Sequence, residues 1–158
     1  MARAFVGLGA NLGDPARQIA QALDAIGRLP GTRVVRSSSL YRTAPVGYAA
    51  QPDFLNAVAE IETGLAPRAL LAALQKIEAD AGRERAYRNA PRLLDLDLLL
   101  YDGSAVREPG LELPHPRMHE RAFVLAPLVE IAPHAEIPGR GGAAALLAAV
   151  AGQRVEKL

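Results

Sequence analysis

The run Leu93-Leu94-Asp95-Leu96-Asp97-Leu98-Leu99-Leu100-Tyr101 constrains this chain more than any other stretch. Its length and leucine content read as a β-strand. Side chains alternate faces along a strand, so Asp95 and Asp97 emerge on the same side, roughly 7 Å apart. Two carboxylates among leucines repel each other and are costly to desolvate. Either the strand lies at a sheet edge with both acids in water, or a hard divalent cation neutralises them. Mg²⁺ suits the second case, because it is commonly held by one or two carboxylates and takes its remaining ligands from water and phosphate.

The rest of the chain reads as partners for that strand. Residues 3–8 form a first strand ending in Gly9-Ala10-Asn11-Leu12-Gly13. Asp14-Pro15 then starts a helix, with Asp as the capping residue and Pro at the first helical position. Ile19, Leu23, Ile26 and Leu29 follow at helical spacing until Pro30-Gly31 stops the run. Residues 33–42, with Val34, Val35 and a serine triplet, alternate as a second strand. Residues 43–52 carry two prolines and a glycine and read as a loop; residues 54–62 resume as a third strand. Leu65-Ala66-Pro67 opens a second helix whose Leu70, Leu71, Leu74 and Ile77 share a face. After a break over 82–91 comes the acidic strand. Residues 120–131 then form a short helix closed by Pro133, and the alanine-rich 143–151 is a further helical stretch. The order β-α-β-β-α-β predicts an α+β, ferredoxin-like core: a four-stranded antiparallel sheet with helices on one face, and additional C-terminal helices. No repeat or linker divides residues 1–158, which read as a single domain.

Half of the 158 residues are apolar, enough for one substantial core. The formal net charge of +1 creates no global field for nucleic acid or an anionic membrane, so neither partner is expected. The absence of cysteine excludes a disulfide framework, a thiolate metal site and a cysteine nucleophile. The N-terminal apolar run is too short for a signal peptide, and no stretch approaches the roughly 18 apolar residues of a membrane span, so the expected location is cytoplasmic.

Four arginines, Arg83, Arg85, Arg88 and Arg92, immediately precede the acidic strand. Guanidinium forks match phosphate oxygens, and beside a carboxylate pair they suggest a phosphoryl-transfer layout, with metal on one side of the phosphates and arginines on the other. A solvated charged loop is the plainer reading of the arginines alone. Phe54 and Asn56 share a strand face and offer a ring plane and an amide to a planar heterocycle; a core Phe with a turn-satisfying Asn is the bland alternative. Gly7-Leu8-Gly9-Ala10-Asn11-Leu12-Gly13 has GxGxxxG rather than GxGxxG spacing, and no acidic residue closes the second strand, which argues against a dinucleotide site. His115 and His119 have the i, i+4 spacing of zinc ligands, but Pro116 and the lack of an HExxH pattern weaken that reading. His115 suits a hydrogen bond to phosphate better.

In combination these stretches resemble the hydroxymethyldihydropterin pyrophosphokinase family along nearly the whole chain. The matching blocks are Gly7 through Asp14, Tyr41-Arg42-Thr43-Ala44-Pro45-Val46-Gly47, Gln51-Pro52-Asp53-Phe54-Leu55-Asn56 and Gln75-Lys76-Ile77-Glu78 with Gly82-Arg83-Glu84-Arg85. Pro91-Arg92-Leu93-Leu94-Asp95-Leu96-Asp97 follows, then Leu113-Pro114-His115-Pro116 and Arg121-Ala122-Phe123-Val124-Leu125. The resemblance implies that Asp95 and Asp97 hold two Mg²⁺ ions, with ATP as co-substrate. It implies that Phe54 and Phe123 sandwich the pterin ring, which Asn56 reads at its edge with help from groups around Thr43 and Val46. Gln75, Glu78 and Leu98 would line the nucleotide pocket. Arg83, Arg85, Arg92, His115 and Arg121 would meet the triphosphate, Arg83 and Arg92 assisting catalysis alongside the aspartates. A monomer using ATP and hydroxymethyldihydropterin is implied. The chain departs from many relatives in carrying Asn89-Ala90 in place of Trp-Gly, where Tyr87 or Arg88 could supply the seal, and Pro116 in place of a Tyr. Two alternatives stand beside this reading. One is another ferredoxin-like phospho- or nucleotidyltransferase acting on a different planar alcohol. The other is a non-catalytic nucleic-acid-binding module.

Overall fold

The computed structural model describes residues 1–44, 52–82 and 94–158. The chain runs β1 (Ala2–Ala10), α1 (Pro15–Gly27), β2 (Thr32–Ser37), β3 (Tyr41–Thr43), β4 (Phe54–Thr63), α2 (Pro67–Gly82) and β5 (Asp95–Tyr101). Two short strands, β6 (Val106–Glu108) and β7 (Leu111–Leu113), form a hairpin. A 3₁₀ turn over Met118–Glu120 leads into α3 (Ala122–Ile131). The pair β8 (Glu136–Ile137) and β9 (Gly141–Gly142), then α4 (Ala143–Ala149) and β10 (Glu156–Lys157), complete the order.

α1 starts as the sequence predicts. The Asp14 carboxylate accepts the Arg17 amide at 3.2 Å, Pro15 occupies the first helical position, and Gly13 takes the left-handed φ of +70° that turns the chain into it.

The ferredoxin-like core is present, with its sheet extended to six strands. β1 lies antiparallel between β4 and β5, while β2 and β3 pair with successive parts of the outer edge of β4. The strand expected over 33–42 is therefore broken in two, and Ser38 is the reason. Its hydroxyl accepts the Val58 amide at 3.0 Å, where a ladder carbonyl would otherwise stand. β10 adds the sixth strand by pairing with β3.

Helices cover both faces of the sheet, whereas the sequence pattern suggested one. Val6, Leu8, Ala57, Ile61, Leu96 and Leu98 pack beneath α1 and α2. On the reverse face Phe5, Val58 and Leu99 pack against Leu125 and Leu128 of α3 and Ala143 of α4. The central strands are apolar on both sides, and each side must be covered. α3 depends on that packing. It is ten residues long, carries Pro127 in its interior, and its N-cap residue Arg121 makes no capping side-chain bond; such a helix is marginal alone. Burial of Leu125 and Leu128, roughly 2 kcal/mol each, compensates. Cover on this face ends abruptly: Leu99 is 1 % exposed, while two residues earlier the Asp97 side chain is 44 % exposed.

Candidate active site

Register builds the site on that uncovered end. Tyr41, Asn56, Gly9 and Asp95 are successive partners across β3, β4, β1 and β5; the next row on the same face is Val58, Gly7 and Asp97. With strands about 4.8 Å apart, Asn56 and Asp95 stand roughly 10 Å from each other across Gly9. Gly9 thus leaves a side-chain-free floor between the amide and Asp95, whereas in the next row the Leu99 side chain lies 3.4 Å from where a Cβ on Gly7 would stand. Gly9 is required there, because a Cβ on it would lie 3.0 Å from the Asn56 Oδ1. In the sequence these glycines read as a nucleotide fingerprint or as a family block, and neither reading predicts that Gly9 separates Asn56 from Asp95. Their spacing of two, matching the strand period, was the available signal.

Of the residues expected to meet the pterin, Thr43, Phe54 and Asn56 are neighbours across β3 and β4. Asn56 is buried and its Nδ2 donates to Thr43 Oγ1 at 3.1 Å. Phe54 pairs with Thr43 and lies on the same face as Asn56, half-buried. Phe123, in the first turn of α3, is half-buried against the reverse-face core, with the Arg121 guanidinium 5.5 Å above its ring. The Asn11 amide, from the β1–α1 turn, donates to the Pro52 carbonyl at 3.3 Å and ties that turn to the start of β4. Val46, Arg83, Arg85 and Arg92, together with Tyr87, Arg88 and the Asn89-Ala90 pair, lie outside the described residues.

The carboxylate side is held from α2 and from the segment after β7. Glu78 Oε2 accepts the Leu96 amide at 2.8 Å, so this helix grips the outer edge of β5 between the two aspartates. Gln75 lies one turn earlier on α2 and is exposed. The Leu98 side chain belongs to the core beneath α1 and α2, on the face opposite Asp97. Strand alternation sends its main-chain polar groups to the same outer edge as those of Leu96.

His115 is anchored by its amide, which donates to the Leu99 carbonyl at 2.9 Å. Its Nδ1 accepts the Arg117 amide at 3.1 Å, which leaves the ring proton on Nε2, 4.0 Å from Asp97 Oδ1. Burial holds the imidazole pKa below its ordinary value, against the opposing pull of Asp97; Arg121 and Arg117 push the same way as burial. The ring is therefore a neutral donor aimed at the carboxylate side. His119 turns instead to Glu120 at 3.4 Å, so the two histidines do not converge.

Among the described residues no group of three or more His, Cys, Asp or Glu could enclose a metal ion. Asp95 and Asp97 still fit Mg²⁺: both offer hard oxygens, and both reach solvent, from which the ion would take its remaining ligands. No helix among the described residues is long and apolar enough to cross a membrane.

A family model described as 7,8-dihydro-6-hydroxymethylpterin-pyrophosphokinase (HPPK) matches residues 5–133. The chain is 48 % identical over 156 residues to the 2-amino-4-hydroxy-6-hydroxymethyldihydropteridine pyrophosphokinase of Pseudomonas aeruginosa, covering 99 % of this chain and 96 % of that protein. To the Bacillus subtilis protein of the same name it is 44 % identical over 133 residues, covering 84 % and 80 %. A solved Plasmodium falciparum HPPK-DHPS chain matches 94 % of this chain with a TM-score of 0.76 at 14 % identity, a likeness of fold; this chain spans 44 % of its length.

Proposed function

Because this chain belongs to the 7,8-dihydro-6-hydroxymethylpterin-pyrophosphokinase family, we infer that it transfers the β,γ-diphosphate of ATP to 6-hydroxymethyl-7,8-dihydropterin in folate biosynthesis. The observation that carries the site assignment is the row Asn56–Gly9–Asp95. A heterocycle reader and a cation-holding pair stand one substrate-width apart on one sheet face, with nothing but glycine between them.

In the bond change, the hydroxymethyl group releases its proton to solvent as its oxygen bonds to the β-phosphorus, the bond from that phosphorus to the α-phosphate oxygen breaks, and AMP leaves with that oxygen. We assign Thr43, Val46, Phe54, Asn56 and Phe123 to the pterin. Phe54 and Phe123 supply ring faces, and Asn56, its amide fixed by Thr43, supplies donor and acceptor to the ring edge. Gln75, Glu78 and Leu98 take the nucleotide along the outer edge of β5. His115 donates from Nε2 to a phosphate oxygen, and Arg83, Arg85, Arg92 and Arg121 bring positive charge, with Arg83 and Arg92 assisting catalysis. Asp95 and Asp97 would hold two Mg²⁺ ions. When bound, the metal neutralises phosphate charge and orients the triphosphate. Holding both reactants over a rigid sheet makes the encounter effectively unimolecular.

The test incubates the protein with MgATP and the pterin and separates products by chromatography. AMP should appear in step with a pterin diphosphate, and only with Mg²⁺. Asp95→Ala and Asp97→Ala should each lower kcat by a factor of at least about 100 while the fold is retained. ADP in place of AMP would replace diphosphate transfer with a simple kinase, and full activity in either variant would remove the metal assignment. The nucleic-acid alternative loses ground because α3 covers the central part of the sheet face it would use.

A further inference from the structure

α3 has no side-chain cap of its own, yet its N-cap position and first turn carry two residues assigned to the substrates, Arg121 and Phe123. The missing cap comes from 31 residues downstream. Gln153 Oε1 accepts the Ala122 amide at 2.9 Å, and Gln153 Nε2 donates to the Glu120 carbonyl at 2.7 Å. One planar carboxamide thus brackets Arg121, with one bond to the residue on each side. Between those bonds Arg121 is held extended, at φ −117° and ψ 109°, with its guanidinium over the Phe123 ring.

Gln153 is exposed, and its main chain is held on both sides. Its amide donates to the Val150 carbonyl at 2.9 Å, just past α4. Beyond it, β10 pairs with β3, and the Leu158 amide donates to the Leu40 carbonyl at 2.9 Å. Gln153 also lies outside the stretch 5–133 that the family model matches.

We propose that Gln153 is a positioning residue of the pyrophosphokinase site, locking the Arg121 main chain so that the guanidinium and the Phe123 ring face the substrates. The proposal rests on the assignment of Arg121 and Phe123 made above. Each peptide flanking the Arg121 Cα has one group held locally: the Arg121 amide donates to the Met118 carbonyl at 3.3 Å, and the Arg121 carbonyl accepts the Val124 and Leu125 amides at 3.0 Å; Gln153 holds the other group of each. Without the carboxamide the Ala122 amide and Glu120 carbonyl turn to water, and Arg121 samples other directions.

The experiment measures KM for ATP and for the pterin, kcat and melting temperature for Gln153→Ala and Gln153→Glu, each also in Arg121→Ala and Phe123→Ala backgrounds. Gln153→Ala should raise the KM values roughly three- to tenfold, the range set by losing a helix cap, with kcat changing less. Gln153→Glu keeps the acceptor for Ala122 and should recover part of that loss; it also serves if Gln153→Ala does not fold. In the Arg121→Ala and Phe123→Ala backgrounds the Gln153 change should add nothing to the KM of the substrate concerned. A fall in melting temperature with KM unchanged, while Arg121→Ala and Phe123→Ala do raise KM, would reduce Gln153 to a structural cap and overturn the proposal. Unchanged KM in Arg121→Ala and Phe123→Ala would instead remove their assignment, and the proposal with it.

Discussion

Gly9 shows how a residue without a side chain can set a site. It pairs with Asn56 on one side and Asp95 on the other, and the Asn56 Oδ1 leans across the space its Cβ would fill. Asn56 cannot yield freely, because its Nδ2 is committed to Thr43. Gly9→Ala should therefore turn the amide away from the trough and raise the pterin KM about tenfold, with a smaller effect on the KM for ATP. Substrate titrations of the variant check this; equal changes for both substrates would show that the floor as a whole, rather than Asn56, had been disturbed. At this scale the sequence was informative where chemistry is local. Asp95 and Asp97 share a face because a strand has period two, which needs no knowledge of the fold. Leu98 was harder to read, since its side chain and its main chain face different surroundings.

Among elements, α3 best illustrates stability borrowed from elsewhere. Its last turn carries Glu130, an acid at the helix end where the dipole disfavours one. The carboxylate accepts from the Tyr41 hydroxyl at 2.8 Å and from the Ser39 amide and hydroxyl, at 3.1 and 2.9 Å; Lys157 of β10 stands 4.0 Å away. Burial pushes the Glu130 pKa up, but the bonds from Tyr41 and Ser39 outweigh it and hold the group below its ordinary value. Burial, then the Glu130 contact, pushes the Tyr41 hydroxyl well above its ordinary value of 10.0. The signs follow. A depressed carboxyl stabilises the fold above about pH 4.5 and loses that contribution as pH falls below it. A raised Tyr contributes fully below pH 10.0 and loses its part as the hydroxyl ionises at higher pH. Glu130→Gln should lower the melting temperature at pH 7 by roughly 3 °C, and its melting temperature should fall less than the parent's between pH 7 and pH 3. Parallel falls in the two proteins would show that this carboxylate is not part of the acid limb. Ser39 and Tyr41 lie 91 and 89 residues from Glu130, so no periodicity announces the cluster.

For the molecule as a whole, a sheet covered on both faces leaves little apolar surface. Among the described residues the exposed large hydrophobics are Met1 and Leu158, which offer no patch of the size that subunit contacts use. The monomer that the family resemblance implies should sediment at micromolar concentration as a single species near 16.7 kDa; twice that mass would overturn that expectation.

The amino-acid order alone determined the α+β class, the succession of the principal strands and helices, the start of α1 at Asp14-Pro15 and the paired acids. Each of these depends on contacts within a few residues. Tertiary structure decided the rest. Asn56 stands opposite Gly9 and Asp95 through a register that packing on both sheet faces selects. Ser38 breaks a strand because Val58 is its partner. Two residues, Glu156 and Lys157, become a strand only beside β3, and Gln153 becomes a helix cap only because α4 turns it back toward Ala122. Pairings between segments tens of residues apart leave no period in the chain, and the free energy that selects them exists only once the core has closed around them.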